Sequence, residues 1–303
     1  MSCRVGRVAD RRPAVTDRSE WSISEPQKLN VDRPVERVRI AVVGGRVNVV
    51  GGERPHRDAL LEVTAVEGPP PRVTWEDGTL TVGYEDLPWQ DFLKLPGGRS
   101  ERRVELSLAV PATARVRVDS VTALAVVSGV AGHTEVRGVT GDTTLVGLGG
   151  PVRAETVSGT VQAQSVAGDL RFKSVSGDLT VVDGRGGVVQ AETVGGALVV
   201  DVADHGGPSE VTLRSVSGEI AVRLAEPVDA VVDAGSAGGP LSCDFEELEV
   251  AGQWGTKRVT GTLGAGRGRL RATTVSGPLA LLRRPADEDA DDTAHPTTLV
   301  KDA

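Results

Sequence analysis

Acidic side chains recur at regular intervals in the middle of this chain, and a stacked row of carboxylates could hold a row of cations. An acid directly follows a glycine at Asp142, Asp169, Asp178 and Glu219. In the column that holds three of them, Thr160 and Ala197 separate the acids. The acids would then stand about 9–10 Å apart in stacked strands, too far apart to share one ion. The pattern therefore predicts no metal site and indicates that like charges are kept apart along an exposed edge.

Other patterns that could do chemistry are incomplete. The glycine-rich residues 147–150 and 264–268 are similar to phosphate-binding loops, but they lack the Gly-Lys-Ser/Thr ending and no helix is expected after them. No two of the four histidines have the spacing of metal ligands: His56, His133, His205 and His295. Asp178 and Asp183 could form a hydrolytic carboxylate pair, but acids occur all along the chain. We therefore predict no catalytic residue and no cofactor.

A short repeated phrase positions these residues: a Ser or Thr, a Val, a small residue and a Gly. It occurs at residues 156–159, 165–168, 174–177, 193–196, 215–218 and 274–277. The glycines form two interleaved columns with steps of 18 to 22 residues. The columns are offset by about nine residues, the length of one strand and one turn. This spacing predicts a coil with two strands and about 18–20 residues per rung, and a glycine at each corner that has a positive φ or no room for a Cβ.

The segments between the glycines alternate apolar and polar residues, which is the period of a half-buried strand. Leu170 and Phe172, for example, alternate with Arg171 and Lys173, which we expect to face water. The Ser or Thr of each phrase is expected inside the corner, where its hydroxyl can satisfy a turn amide. Gly, Val and Thr at this density disfavour helix. The sequence therefore predicts an all-β protein, a single-stranded β-solenoid similar to a parallel β-helix.

Composition narrows the classes of function and the compartment. The net charge of −8 argues against nucleic-acid binding, which needs a basic surface. Two cysteines, Cys3 and Cys243, do not make a disulfide framework. We find no apolar run long enough to span a membrane and no apolar signal region at the start. These observations predict a cytoplasmic protein, with peripheral membrane attachment or export by a non-standard route as the alternative.

The predicted organisation is a single solenoid domain over residues 21–284 between two tails. Residues 1–20 are predicted to be a disordered basic arm, and residues 285–303 a disordered acidic tail. Within the domain, residues 21–122 are a less regular part with a flap at 84–98, and residues 123–284 hold the regular repeats. After Leu224 the register loosens, with a strand at 228–232, a loop at 235–240 and an acidic, solvated loop at 244–249.

Two segments are candidates for contact with a partner. The first contains Trp89, Phe92, Leu93 and Leu95, and it is either a binding loop or, as we prefer, a flap that covers the side or end of the coil. The second is the basic outer face of a late strand with Arg267, Arg269 and Arg271. The partner is an unknown protein or glycan. Because an open end rung can pair with another chain, an end-to-end or edge-mediated homo-oligomer is also expected.

The phrases Thr-Val-Ser-Gly and Ser-Val-Ser-Gly-Asp-Leu, together with residues 270–277, resemble the bacterial DUF4097 family of adhesin-like β-strand-repeat proteins. The resemblance covers roughly residues 35 to 283. It implies a right-handed, single-stranded β-solenoid, with no established activity, cofactor or catalytic residue. Many members of that family look exported or membrane-attached, whereas we see neither a signal nor an anchor in this chain.

These observations favour a non-enzymatic scaffold or an adhesin-like binding module. The alternative is a carbohydrate-active β-helix enzyme, a polysaccharide lyase or hydrolase, by analogy with the fold alone. That alternative requires two or three acids to converge with Arg or Lys in one lateral groove.

Overall fold

The structure, a computed structural model, describes residues 18–54, 57–84, 102–203, 207–253 and 255–284. The N-terminal strands are β1 (Arg18–Ser22), β2 (Gln27–Val31), β3 (Arg37–Val42), β4 (Gly44–Gly52), β5 (Ala59–Glu67), β6 (Arg72–Glu76), β7 (Thr79–Gly83) and β8 (Arg103–Pro111). The middle strands are β9 (Arg115–Ser120), β10 (Leu124–Ser128), β11 (Thr134–Arg137), β12 (Thr143–Val146), β13 (Val152–Thr156), β14 (Val161–Gln164), β15 (Leu170–Ser174), β16 (Leu179–Gly184), β17 (Val188–Glu192), β18 (Leu198–Val202), β19 (Glu210–Ser215) and β20 (Ile220–Leu224). The C-terminal strands are β21 (Ala230–Ser236), β22 (Leu241–Cys243), β23 (Glu249–Gln253), β24 (Thr256–Leu263), β25 (Gly268–Thr274) and β26 (Leu279–Arg283). These residues contain no helix, and hence none that could span a bilayer.

The strands form two large, mostly parallel sheets, which confirms the all-β prediction. From β9 to β20 the chain alternates between a 14-stranded sheet, here sheet A, and a 12-stranded sheet, here sheet B. Each strand from β9 to β18 pairs in parallel with the strand two further along, so that Thr134, Val152 and Leu170 lie side by side. The register advances by 18 residues at these strands, and by 19 and 22 residues at the next two steps, to Val189 and Val211, within the range of the glycine columns.

The core is a slim layer between the two sheets, in which large and small side chains complement one another. Phe172 is the largest fully buried side chain, and its neighbours in the adjacent strands are Ala154 and Ala191. Two small neighbours leave room for the ring in a narrow interior. The rest of the column is Val136 and Leu213, both buried.

The corner glycines are required by close approach between rungs, not by a positive φ. A Cβ on Gly159 would lie 2.2 Å from the carbonyl oxygen of Gly141, and one on Gly218 would lie 1.8 Å from that of Gly196. None of these glycines has a positive φ. The predicted role of the hydroxyls is confirmed, because Thr156 Oγ1 accepts the N–H of Gly159 at 3.0 Å. The same bond recurs at Ser174, Thr193, Ser215 and Thr274, whereas Ser165 donates its hydroxyl to Asp183.

At both ends, the order of the strands in space departs from their order in the chain. The pair β3/β4 lies between β7/β8 and β9/β10, and the pair β25/β26 lies between β19/β20 and β21/β22. Sheet A then ends in antiparallel strands, β6 and β1 at one end and β24 and β23 at the other. Sheet B ends in β2, which is antiparallel to β5, and in β22, which is parallel to β26. Three of the four terminal strands of the two sheets are therefore antiparallel to their neighbours, and β22 is the one parallel edge among the described residues.

Three local predictions differ from the structure. The strand predicted at 228–232 runs instead from Ala230 to Ser236, so Gly235 lies in a strand that pairs on both edges, not in a loop. The acidic segment 244–249 is not wholly solvated, because Phe245 and Leu248 are buried against the core. The first strand begins at Arg18, inside the predicted basic arm.

Candidate interaction surfaces

Two of the four acids that follow corner glycines make backbone contacts between rungs. The Asp142 carboxylate accepts the N–H of Thr160 at 2.9 Å, and the Asp178 carboxylate accepts the N–H of Ala197 at 2.7 Å. Beside Glu219 the next rung presents Pro278, which has no N–H. In the part of the chain that the structure describes, no three His, Cys, Asp or Glu side chains gather as metal ligands. An acid in one rung thus bonds the backbone N–H of a neutral residue in the next rung. These bonds explain why Asp142 and Asp178 are followed in the column by Thr160 and Ala197 better than the separation of like charges does.

The outward surface of sheet A, here face A, carries a ladder of alternating charge. Six consecutive strands place side chains of opposite sign next to one another: Asp119, Arg137, Glu155, Lys173, Glu192 and Arg214. Neighbouring members form ion pairs, including Lys173–Glu192 at 3.1 Å and Arg214–Glu192 at 3.4 Å. Opposite charges on adjacent strands stabilise a sheet modestly.

A second column on face A ties into this ladder. Arg117 contacts Asp119 at 2.8 Å and Glu135 at 3.5 Å, and Glu135 also pairs with Arg137 at 2.6 Å. The hydrogen bond to Asp119 raises the pKa of Arg117, and burial only partly opposes it. The middle of face A is therefore largely self-neutralised, with its acids held by guanidinium groups.

The outward surface of sheet B, here face B, has the opposite character. One column crosses ten strands without a charge: Ser107, Asn48, Val126, Thr144, Gln162, Thr180, Val199, Ala221, Ala280 and Ser242. The column beside it runs through Ser128, Val146, Gln164 and Val182. Val182 is 45 % exposed. Charges return on either side of these columns, at Asp142, Asp178 and Glu219 and at Asp201 and Arg223. The uncharged column itself needs little desolvation of charge to meet a partner.

A row of exposed valines, here the valine ridge, runs along the corner that leads from sheet A into sheet B. Its members are Val157, Val175, Val194, Val216 and Val275, which are between 38 and 55 % exposed. The serine after each valine, where present, donates its hydroxyl to a valine carbonyl of the neighbouring rung, as Ser176 does to Val157 at 3.3 Å. The ridge therefore presents methyl groups while its polar groups are bonded between rungs. Asp142, Asp178 and Glu219 lie between the ridge and the uncharged column of face B, and the first two are held by backbone N–H groups of the next rung.

The structure places the predicted basic strand on face A, with part of its charge already used. Arg267 precedes β25 and pairs with Asp229, whose carboxylate also accepts the Arg267 backbone N–H at 2.8 Å. These contacts lower the pKa of Asp229. Arg271 pairs with Asp233 at 3.5 Å, whereas Arg269 makes no ion pair with a described residue.

The predicted aromatic contact residues, Trp89, Phe92, Leu93 and Leu95, lie outside the described residues, as does all of the predicted flap except Tyr84. Tyr84 is buried, and the Arg102 guanidinium lies 5.1 Å from the centre of its ring.

One basic surface was missed by the sequence analysis. Strands β3 and β9 place Arg37 beside Arg115 and Arg39 beside Arg117 on face A. The signal was the phrase Arg-Val-Arg, which occurs at both 37–39 and 115–117. The repeated phrase predicts a basic surface only if these two distant segments are known to pair with each other.

Comparison with known proteins does not assign this chain to a family. No family model matches the chain, and no curated protein matches it. Among solved structures, a match is found with a putative cell adhesion protein from Clostridium sporogenes, with 10 % sequence identity over 86 % of this chain and 100 % of that chain. The TM-score is 0.25, so this likeness carries no argument about fold or function.

Proposed function

We propose that this chain is a non-enzymatic binding scaffold, built as a right-handed β-solenoid over residues 21–284 and related to the adhesin-like DUF4097 proteins. The parallel pairing of every second strand along the middle of the chain supports the solenoid. The repeated corner phrase supports the family relationship. The partner is a protein or a glycan, and the cytoplasm is the proposed compartment.

The contrast between the two faces is the observation that carries this proposal. Face A neutralises its own charges, whereas face B carries a column of ten strands without a charge and the valine ridge presents exposed methyl groups, with Asp142, Asp178 and Glu219 between the two. Exposed apolar surface marks interaction sites. We therefore place the main contact on face B and the valine ridge, and the segments around Trp89 and Arg269 become secondary contacts.

The enzyme alternative has less support from the geometry. A polysaccharide lyase or hydrolase needs carboxylates that converge on a substrate in a groove. On face A, Glu135, Glu155 and Glu192 each pair with two cations, and the uncharged column of face B offers no acid. This arrangement favours binding over catalysis.

A pair of matched double variants tests the proposal. Thr144→Lys with Thr180→Lys places two cations in the uncharged column of face B, and Gln190→Lys with Thr212→Lys places two on face A. All four residues are half-buried and point outward. Because Gln190 and Thr212 are cross-strand neighbours and lie beside Arg171 and Arg271, the face A variant carries the greater repulsion, so a partner loss confined to the face B variant cannot be a folding effect. Urea midpoints of both variants check that each is folded. We expect affinity capture with quantitative mass spectrometry to lose partners for the face B variant and to retain them for the face A variant.

Two results would overturn the proposal. The first is a face B variant that keeps every partner, or two variants that lose the same partners. The second is turnover of an acidic or neutral polysaccharide by the purified protein that a single carboxylate change abolishes.

A further inference from the structure

We propose that a cleft at the N-terminal part of face A is a binding site for an oxyanion group, such as a phosphate, sulfate or carboxylate. The cleft has a volume of about 480 Å³ and is lined by Val35, Glu36, Arg37, Arg57, Thr113 and Arg115. It lies where the start of β3, the loop after β4 and the turn before β9 meet. Its contacts are separate from face B, so this site and the proposed binding scaffold can fail independently.

The strand register forces like charges together at this place. Arg37 lies directly beside Arg115 and Arg39 directly beside Arg117 in the parallel pair β3–β9. Like charges that face each other across strands are destabilising. Arg117 is compensated by Asp119 and Glu135, but Arg37, Arg39 and Arg115 form no ion pair with any described residue.

In the middle of face A, another pair of neighbouring arginines has one member neutralised by an acid. Arg153 and Arg171 are also neighbours across strands, but Arg153 pairs with Glu155 and Arg171 stands beside uncharged Gln190. At the cleft the one lining acid, Glu36, forms no ion pair with a described residue. An anion that bridges Arg37 and Arg115 would remove the repulsion.

A third arginine is brought to the same cleft by an unusual backbone conformation. Arg57 has a φ of 53°, in the left-handed region that side chains other than glycine rarely adopt. Its carbonyl accepts the N–H of Val35 at 2.7 Å, and its N–H donates to the carbonyl of Arg54 at 2.9 Å. Such conformations persist where the surroundings determine them, and they cluster at ligand sites. Here the backbone bonds fix Arg57 next to β3, the strand that carries Arg37.

The charge and the donors suit an oxyanion. Three arginines face one acid, Glu36, in a protein whose net charge is −8. Asp58, which follows Arg57 in the chain, is held by Arg54 at 3.2 Å. Guanidinium groups bind carboxylate and phosphate through two parallel hydrogen bonds, and the Thr113 hydroxyl can add a further donor. The shared chemistry is that of an anionic sugar, an anionic headgroup or a free phosphate.

Titration calorimetry on the full-length protein at low salt tests the site with three probes: inorganic phosphate, inorganic sulfate and an oligogalacturonate. We expect at least one probe to bind with 1:1 stoichiometry. Arg37→Gln with Arg115→Gln should weaken binding by at least roughly tenfold, because charge-assisted hydrogen bonds are lost. Glu36→Gln should strengthen it roughly threefold or more, because a repelling charge is removed. Binding of the oligosaccharide alone would assign a glycan, and equal binding of phosphate would assign a free or headgroup phosphate.

The control is Arg171→Gln with Arg269→Gln, which removes two outward arginines of face A that also lack ion pairs with described residues but lie away from the cleft. This variant should keep the affinity. The cleft variant should also be at least as resistant to urea as the unmodified protein, since it relieves repulsion, and this excludes unfolding as the cause. Absence of binding for all three probes, or equal weakening in the control, would refute the site.

Discussion

Alanine at Gly196 tests whether the glycine columns are required by contact between rungs. A Cβ at this position lies 2.1 Å from the carbonyl oxygen of Gly177 and 3.1 Å from Thr193 Oγ1. Real Cβ atoms do not come within 3.0 Å of such atoms, so the corner must open by about 0.9 Å. The Gly196 N–H bond to Thr193 Oγ1, at 3.1 Å, lies in the same corner.

The magnitude follows from those contacts. Forcing extra atoms into a packed site costs about 1–3 kcal/mol, and loss of one hydrogen bond adds about 1 kcal/mol. We therefore expect Gly196→Ala to lower the free energy of unfolding by about 2–4 kcal/mol. Urea denaturation followed by far-ultraviolet circular dichroism measures this as a shift of the midpoint at constant slope.

The neighbouring glycine is the matched control. A Cβ on Gly195 lies 3.7 Å from its nearest neighbour, Ser217 Oγ, and Gly195 has no positive φ. Alanine there should raise stability by about 0.4–1 kcal/mol through the unfolded state. Four of the other five phrases have serine at this place, for example Ser176, and the fifth has Ala167. Equal midpoints for the two alanine variants would refute the explanation from close contact.

Three further perturbations test the core, the charge ladder and the C-terminal ion pair. Phe172→Ala should lower the free energy of unfolding by about 3–5 kcal/mol, whereas Val175→Ala on the exposed ridge should change it by less than about 0.5 kcal/mol. The urea midpoints of the two variants measure this difference, and similar losses would contradict the assigned core. Glu135→Gln should lower the free energy of unfolding by about 1 kcal/mol or less at low salt, and by less in 1 M NaCl, because salt screens partly exposed ion pairs. A loss of stability that does not depend on salt would count against the charge ladder. Because the contacts with Arg267 lower the pKa of Asp229, they stabilise the fold above the usual pKa of the carboxyl and are lost as the pH falls through the lowered value. Asp229→Asn should therefore lower the thermal midpoint at pH 7 and lower it progressively less as the pH falls below the usual pKa of the carboxyl, and a loss that does not change with pH would exclude this linkage.

The regular middle of the fold could be predicted from the sequence because, in this region, strands that are neighbours in space are also close in the chain. A strand in this region pairs with the strand one rung away, so one period sets the register, the buried parity and the corner glycines. The contact of Thr156 with the Gly159 amide is also local, three residues apart, and could be predicted from residue type and spacing.

The ends could not be read in this way, because their pairings join distant segments. β19 pairs with β25 although β21 follows it sooner in the chain, and β3 lies between β7 and β9. The phrase at 274–277 was the available signal, since it repeats the phrase of the rung with which it pairs. Gly235 looked like a loop residue because a glycine in a strand is disfavoured, but pairing with Arg258 and Thr273 on its two sides overrides that preference.

In stacked parallel strands, the side chains at equivalent positions of neighbouring strands lie next to one another, so their charges must be compatible. Equivalent positions are about 4.8 Å apart, so a charge that recurs at every rung must alternate in sign, be neutralised from the side or remain strained. The column from Asp119 to Arg214 alternates, and the column from Ser107 to Ser242 avoids charge altogether. Arg37 and Arg115 do neither, and they stand at a cleft with a third arginine. A bound anion would supply the compensation that the rest of the surface obtains from its own residues, and this is why the cleft and face B are the two places where we look for ligands.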